Sequence, residues 1–189
     1  MSDRFEQLLV EHCSPALAGR KPANLFFFRA ENAAELCCKV SFWNKELSKQ
    51  GIGVRIIKGC RKSGRYLIYL YRRDWMNRIL SESEVLEFLS DCGYNTVDGS
   101  YEILRQLSGR LCLKSDFPHE LGIFLGYPLS DVKGFITNHG QNYTYSGHWK
   151  SYGDPNEAKR LFGEYKRCTE RYKKLFNSGV SISELVVAA

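Results

Sequence analysis

The chain has 189 residues, of which 43% are apolar and 13% aromatic, and carries a formal net charge of +6. That length fits one domain with a sizeable core, and the charge admits anionic partners without demanding them. The start MSDRFEQLLVEHC has neither the basic segment nor the apolar run of a secretory signal. No apolar stretch approaches the roughly 18 residues of a membrane span, so a cytoplasmic protein without a membrane is expected. Seven cysteines (13, 37, 38, 60, 92, 112 and 168) form an odd set, expected to be reduced and mostly buried. No CxxC pair and no HxxxH spacing occur, so no ordinary zinc site is legible.

In chain order, a first helix is expected over Asp3–His12, with Phe5, Leu8 and Leu9 on one face. ANLFFFR, residues 23 to 29, is a buried strand. A long helix over Glu31–Gln50 follows, with Leu36, Val40, Trp43 and Leu47 on an i, i+4, i+7, i+11 stripe and Gly51 as its cap. GVRIIKG and RYLIYLY, separated by CRKSG, form an antiparallel hairpin placed at the sheet centre because both faces carry apolar residues. Asp74 caps a short helix, a second ends at Gly93, and a third spans Ser100–Gly109. Two short helices then flank Gly126-Tyr127-Pro128. Asp154-Pro155-Asn156-Glu157 opens a long amphipathic C-terminal helix with its cap, its first-position proline and a glutamate three residues after the cap. Ser181 and Glu184 form a further capping box. The expected architecture is a single α+β domain over 1–189: a small, mostly antiparallel sheet packed by several helices, a helix-rich middle over 74–138, and a hairpin with C-terminal helices over 141–189.

Cys13 is the first chemical candidate. If Ser14 caps a helix and Pro15 is its first residue, Cys13 stands at the mouth of that helix, where amide dipoles favour a thiolate and His12 or Lys21 could assist. Free cysteine is also among the most buried residue types, and the helix before Gly19 would hold barely one turn. His119, just after Pro118, is placed in the first turn of a helix, which would keep its imidazole neutral and suited to a base or ligand. A thiol- or histidine-dependent enzyme would use Cys13 and His119, with Lys21 assisting. The spacing Gly59–Gly64 imitates a phosphate loop, but Arg65-Tyr66 replace the required Lys and Ser or Thr and a strand follows, so that reading is rejected. Gly51-Ile-Gly53 lacks the third glycine of a dinucleotide fingerprint.

ELGIFLGYPLSDVKGFI has the pattern of a helix-turn-helix, with Gly122, Gly126, Val132 and Phe135 at the packing positions. Its second helix would present Ser130, Asp131, Lys133, Gly134 and Thr137, poor equipment for reading bases. A packed helical corner is the expected meaning. In GQNYTYSGHWKSYGD, a two-residue turn at Ser146-Gly147 would set Tyr145 opposite His148, Tyr143 opposite Lys150 and Gln141 opposite Tyr152. One face would then carry Tyr143, Tyr145, His148, Lys150 and Tyr152, suited to stacking on a planar ligand with charge nearby, while Thr144 and Trp149 take the other. The C-terminal helix turns Lys159, Lys166, Arg167 and Arg171 away from its apolar stripe, a candidate anion-binding surface. From Lys49 to Arg73, both included, there are eight further Lys or Arg and no acid. Contiguity of these two basic surfaces would favour an anionic partner.

HCSPALAGRKPANLF, FPHELGIFLGYPLSDVKGFI and YSGHWKSYGDPNEAKRLFGEYKRC together resemble an uncharacterised family of anaerobic Firmicutes, domain of unknown function 3793, over essentially the whole chain. The resemblance implies a bacterial, cytoplasmic, single-domain protein and brings no catalytic residues or cofactor. The leading expectation is a protein that binds a planar or anionic small molecule through the 141–152 hairpin. A Cys13/His119 enzyme and a nucleic-acid binder using the basic helix or segment 119–137 are the alternatives.

Overall fold

The computed structural model describes residues 3–113 and 117–187. Its main sheet holds β1 (Ala23–Arg29), β2 (Ile52–Cys60) and β3 (Arg65–Arg72), antiparallel and in the order β1-β3-β2. β2 and β3 form the expected hairpin, but only β3 is central. β1 pairs along β3 from Ala23↔Tyr71 to Arg29↔Arg65, which leaves β2 on an edge. A bulge between Ile56 and Lys58 breaks the period-two alternation, so Ile56 and Ile57 pack into cores on opposite faces.

Those two cores explain why the sheet sequences are apolar on both sides. Phe26, Val54, Ile68 and Leu70 meet α1 (Arg4–Leu17) and α2 (Ala33–Ser48). Ala23, Leu67 and Tyr69 meet a second layer formed by α3 (Arg73–Ile79), α4 (Ser83–Asp91), α5 (Gly99–Leu113), α6 (Leu121–Phe124) and α7 (Leu129–Thr137). A two-stranded ribbon of β4 (Tyr145–Ser146) and β5 (Lys150–Ser151) leads into α8 (Pro155–Asn177), which lies along α1, and α9 (Ile182–Leu185) closes the chain. The fold is the expected α+β arrangement with a small antiparallel sheet and a long C-terminal helix. Asp154 caps α8 by accepting from the Asn156 amide at 2.9 Å, and Ser181 with Glu184 forms the second capping box. No described helix is long and apolar enough to cross a membrane.

Three helix ends differ from the sequence expectation. Asp74 does not cap α3 but lies in its first turn, because the helix starts at Arg73 directly from the end of β3. α5 and α1 both run longer. α5 runs past Gly109 because Leu107 and Leu111, on either side of it, are both buried against the sheet layer. α1 does not stop at His12; it continues through Pro15 to Leu17. A proline removes one intrahelical hydrogen bond, but here it falls in the last turn, and the Ser14 hydroxyl donates back to the Val10 carbonyl. Burial of Val10, Cys13, Ala16 and Leu17 drives this extension.

The end of α1 is held by an unusual group. Arg72, at the end of β3, is only 2% exposed. Its Nε donates to the Ala16 carbonyl at 2.7 Å, and its Nη2 donates to Leu17 at 2.8 Å and to Val187 at 2.6 Å. Carbonyls at a helix C-terminus have no intrahelical donor, so this guanidinium caps α1 and fastens the C-terminal segment in one arrangement.

Candidate functional site

Between the α6–α7 corner and the β4–β5 ribbon lies a cleft of about 400 Å³, walled by Leu125, Tyr127, Val132, Phe135 and Trp149 and carrying His119, His148 and Lys150. The corner is tight for steric reasons. Gly126 has φ +71°, and a Cβ there would stand 2.4 Å from Pro22 Cγ; a Cβ on Gly122 would stand 2.7 Å from Val132 Cγ2. The Tyr69 hydroxyl, on the central strand, donates to the Phe124 carbonyl at 2.6 Å and fixes the corner against the sheet. The expected packing of Gly122 against Val132 is present, but α6 is a single turn. Of the residues expected to face outward from α7, Ser130, Lys133 and Thr137 are exposed while Asp131 and Gly134 are covered. Gly134 lies against the Tyr152 ring, and Asp131 is buried under the ribbon.

Asp131 organises the other wall. Its carboxylate accepts from Trp149 Nε1 at 2.7 Å, from the Tyr152 amide at 2.7 Å and from Ser151 Oγ at 3.4 Å. The Trp149 ring stacks on Tyr127 at 4.5 Å and stands edge-on to Phe162 at 4.4 Å. These anchors override the expected two-residue turn. The ribbon pairs Tyr145↔Ser151 and Ser146↔Lys150 around the three-residue loop 147–149, and Gly147 is pressed so closely on Phe162 that a Cβ would fall 2.2 Å from its ring.

The register change separates the predicted binding face. His148 and Lys150 line the cleft, joined by Trp149 from the supposed opposite face. Tyr145 turns instead toward Phe162, at 5.9 Å, on the α8 side. Tyr143 is exposed beside the Lys150 ammonium, 5.0 Å from its ring centre, and Tyr152 packs on Gly134. Lys150 is tethered by donating to the Gly140 carbonyl at 2.6 Å.

Cys13 and His119 are not brought together. Cys13 is an interior residue of α1, fully buried in the core beneath the sheet, and that burial pushes its thiol far up. It is no helix-mouth thiolate, because the helix does not begin there. Nor are the thiols mostly buried as expected, since Cys37, Cys38, Cys60 and Cys112 are exposed and Cys92 and Cys168 only partly covered. His119 stands just before α6 rather than within it, tilted against Phe135 at 5.2 Å. His148 sits between Phe162 and Tyr165, both at 5.4 Å; partial burial, and then the charge of Lys21, lower its pKa and favour the neutral ring. Of the basic α8 residues, Arg167 and Arg171 border one groove together with Arg20, Lys159 and Lys166 border a neighbouring depression beside Tyr145 and His148, and Arg167 stands between the two and lines both. Arg55 of β2 reaches Tyr101 of α5, and Lys58 and Arg65 border a depression with Leu67 and Phe117, on the side of the sheet away from α1 and α8. Arg72 is on the α1 side but buried on backbone carbonyls, so the exposed basic residues of β2 and β3 diverge from those of α8.

Lys21 is the most anomalous polar group near the cleft. It is 3% exposed, and its ammonium lies 5.1 Å from the Tyr127 ring centre with no carboxylate partner among the described residues. Burial lowers its pKa from the ordinary 10.5 to about 8, weakly opposed by Cys13. The folded chain therefore binds this proton less tightly than the unfolded chain does. The cost is present in full below about 8 and is relieved as pH rises toward 10.5. At about 1.4 kcal/mol per pKa unit, the charge costs up to ~3 kcal/mol. Lys21→Met is expected to be the more stable protein at pH 7 by about 2–3 kcal/mol. In paired urea titrations from pH 7 to 10.5 that advantage should shrink, and the opposite slope of Cys13 cancels in the difference. A Met variant no more stable than the parent would show that Lys21 is solvated or paired.

Lys21 had a local signal only as a neighbour of Cys13. Tyr127, Asp131 and Trp149 had none, because their contacts join segments about twenty residues apart. No curated protein and no solved structure matches the chain. A family model described as "Protein of unknown function (DUF3793)" matches residues 9–186, a span that holds Lys21, the corner and the ribbon together, and the chain belongs to that family.

Proposed function

We propose that the protein binds a planar small molecule with an acidic or polar edge in the cleft between the α6–α7 corner and the ribbon. The observation that carries this reading is the pairing of a flat aromatic wall, Tyr127 stacked with Trp149 at 4.5 Å, with two imidazoles and an ammonium on the same cleft. Small-molecule sites are typically concave and mostly apolar with a few convergent polar groups, at volumes from about 300 Å³ upward. Asp131 also borders the cleft, but its oxygens are directed to the ribbon's donors. The nearby positive charges of Lys21 and Lys150 therefore favour a ligand with negative charge. A neutral His148 can accept a proton from the ligand or donate a hydrogen bond to it.

Nicotinate and indole-3-acetate serve as planar anionic probes, with NMR as the readout. Their titration is expected to shift the Trp149 indole N–H and the His119 and His148 ring signals saturably. His148→Ala should weaken the response at least about fivefold, a loss of roughly 1 kcal/mol for one charge-assisted contact, while Tyr143→Ala leaves it unchanged. Absence of saturable shifts at Trp149 with both probes, or equal weakening by Tyr143→Ala, would overturn this assignment.

A further inference from the structure

On the far side of α8 from the ribbon, a groove of about 640 Å³ runs between α8, the end of α1 and the C-terminal segment. Arg20 enters from the loop after α1, and Arg167 and Arg171 from successive turns of α8. Residues four apart on a helix share a face, so the two α8 guanidiniums stand one turn apart and oppose Arg20. Among the described residues none of the three has a carboxylate partner. The acids on the rim are committed elsewhere: Glu164 pairs with Arg160 at 2.6 Å, and Glu184 accepts from the Ser181 amide and hydroxyl at 2.9 and 2.6 Å. The negative end of α1 is also masked, because Arg72 takes the Ala16 and Leu17 carbonyls. Tyr172, Leu175 and Leu185 supply an apolar and aromatic component to the same groove.

We infer that this groove is a binding site for a phosphorylated small molecule, a phosphate ester or diphosphate, held by Arg20, Arg167 and Arg171. Guanidinium forks match phosphate oxygens in pairs, and three converging forks match a multiply charged anion better than a carboxylate. The volume exceeds that of a bare phosphate, and Tyr172 with Leu175 offers a surface for the organic part of an ester. A nucleic-acid track is disfavoured because Arg55, Lys58 and Arg65 of β2 and β3 lie on the other side of the sheet, the Arg72 guanidinium is buried on backbone carbonyls, and the neighbouring depression on α8 carries Glu11 and Glu170 among its lysines. No residue of this groove lines the aromatic cleft, so the two assignments stand or fall separately.

Inorganic diphosphate and AMP are the probes, measured by isothermal titration calorimetry at low and at physiological salt. One-to-one binding of diphosphate is expected, with a Kd below about 100 µM at low salt. Arg20→Gln, Arg167→Gln and Arg171→Gln should each weaken it about tenfold. All three side chains are exposed, so folding is not at stake. Lys159→Gln and Lys166→Gln, outside the groove, should change it less than twofold. Cys168, half-buried in the groove, gives a second readout: diphosphate should slow its alkylation while leaving the exposed Cys37, Cys38, Cys60 and Cys112 unaffected. Equal weakening by the lysine and arginine substitutions would mean diffuse charge attraction and would overturn the site. So would tight, steeply salt-dependent binding of a single-stranded RNA oligomer that neither diphosphate nor AMP displaces.

Discussion

Replacing Arg72 with methionine is expected to remove about 3–5 kcal/mol of stability, the largest effect of any single polar substitution in this fold. The side chain is buried, and its three hydrogen bonds end on carbonyls of Ala16, Leu17 and Val187 that belong to different parts of the chain. Methionine fills much of the space but donates nothing. Each buried acceptor left without a donor costs about 1–3 kcal/mol, less for Val187 near the surface. Against a total stability of about 5–15 kcal/mol the loss is a large fraction. Lysine should rescue little, since one ammonium cannot reproduce a planar fork that reaches three oxygens. Gly19, just after α1, has φ +64°, a left-handed conformation that favours glycine, while a Cβ there would make only ordinary contact with Arg72 Nη2 at 3.4 Å. Urea unfolding followed by circular dichroism measures the effect, and a loss below about 1 kcal/mol would mean that water replaces the guanidinium at these carbonyls.

Asp131→Ala is expected to act locally and to abolish the cleft. The ribbon has only the pairs Tyr145↔Ser151 and Ser146↔Lys150, and an isolated two-stranded ribbon is marginal in water. Thr144 adds hydrogen bonds to the Ser151 and Gly153 carbonyls, but what ties the ribbon to the corner is the Asp131 carboxylate with three donors, plus the stack of Trp149 on Tyr127. Alanine leaves the Trp149 indole and Tyr152 amide without their acceptor, a cost of about 2–4 kcal/mol for charge-assisted bonds. Asp131→Asn keeps the shape and one acceptor oxygen, so it should fall between the two. Hydrogen exchange at the Tyr152 amide and the Trp149 indole should accelerate sharply in the alanine variant while core amides of β3 stay protected. Binding of the planar anion probes should be lost together with ribbon order. Unchanged exchange at both sites would show that the aromatic stack alone holds the ribbon.

The two substitutions mark how the fold divides its work. Arg72 lies on the α1 side of the sheet, where buried packing fixes the termini; Asp131 lies on the opposite side, where a thin ribbon closes over a helical corner. The aromatic cleft depends on the ribbon, whereas the arginine groove rests on α8, which is long, well capped and packed on α1. Loss of the first site should leave the second intact.

Much of the architecture was legible in the sequence because its causes are local. The Asp154-Pro155 start of α8, the Ser181/Glu184 capping box, the Leu36–Leu47 stripe and the β2–β3 hairpin all follow from side chains within a few residues of one another. So does the close approach of Gly122 to Val132. The placement of Cys13, the order of the strands and the ribbon register were decided by partners distant in sequence. Burial of Val10, Cys13, Ala16 and Leu17 carried α1 through Pro15, β1 claimed the free edge of β3, and Asp131 with Phe162 shifted the ribbon away from its intrinsic turn. The sequence by itself determined which residues cap, alternate and pack within each element. Only the tertiary structure decided which of them share a cavity, because contacts such as Lys21 with Tyr127, Trp149 with Asp131 and Arg20 with the α8 groove arise from packing separate elements, and no local periodicity encodes them.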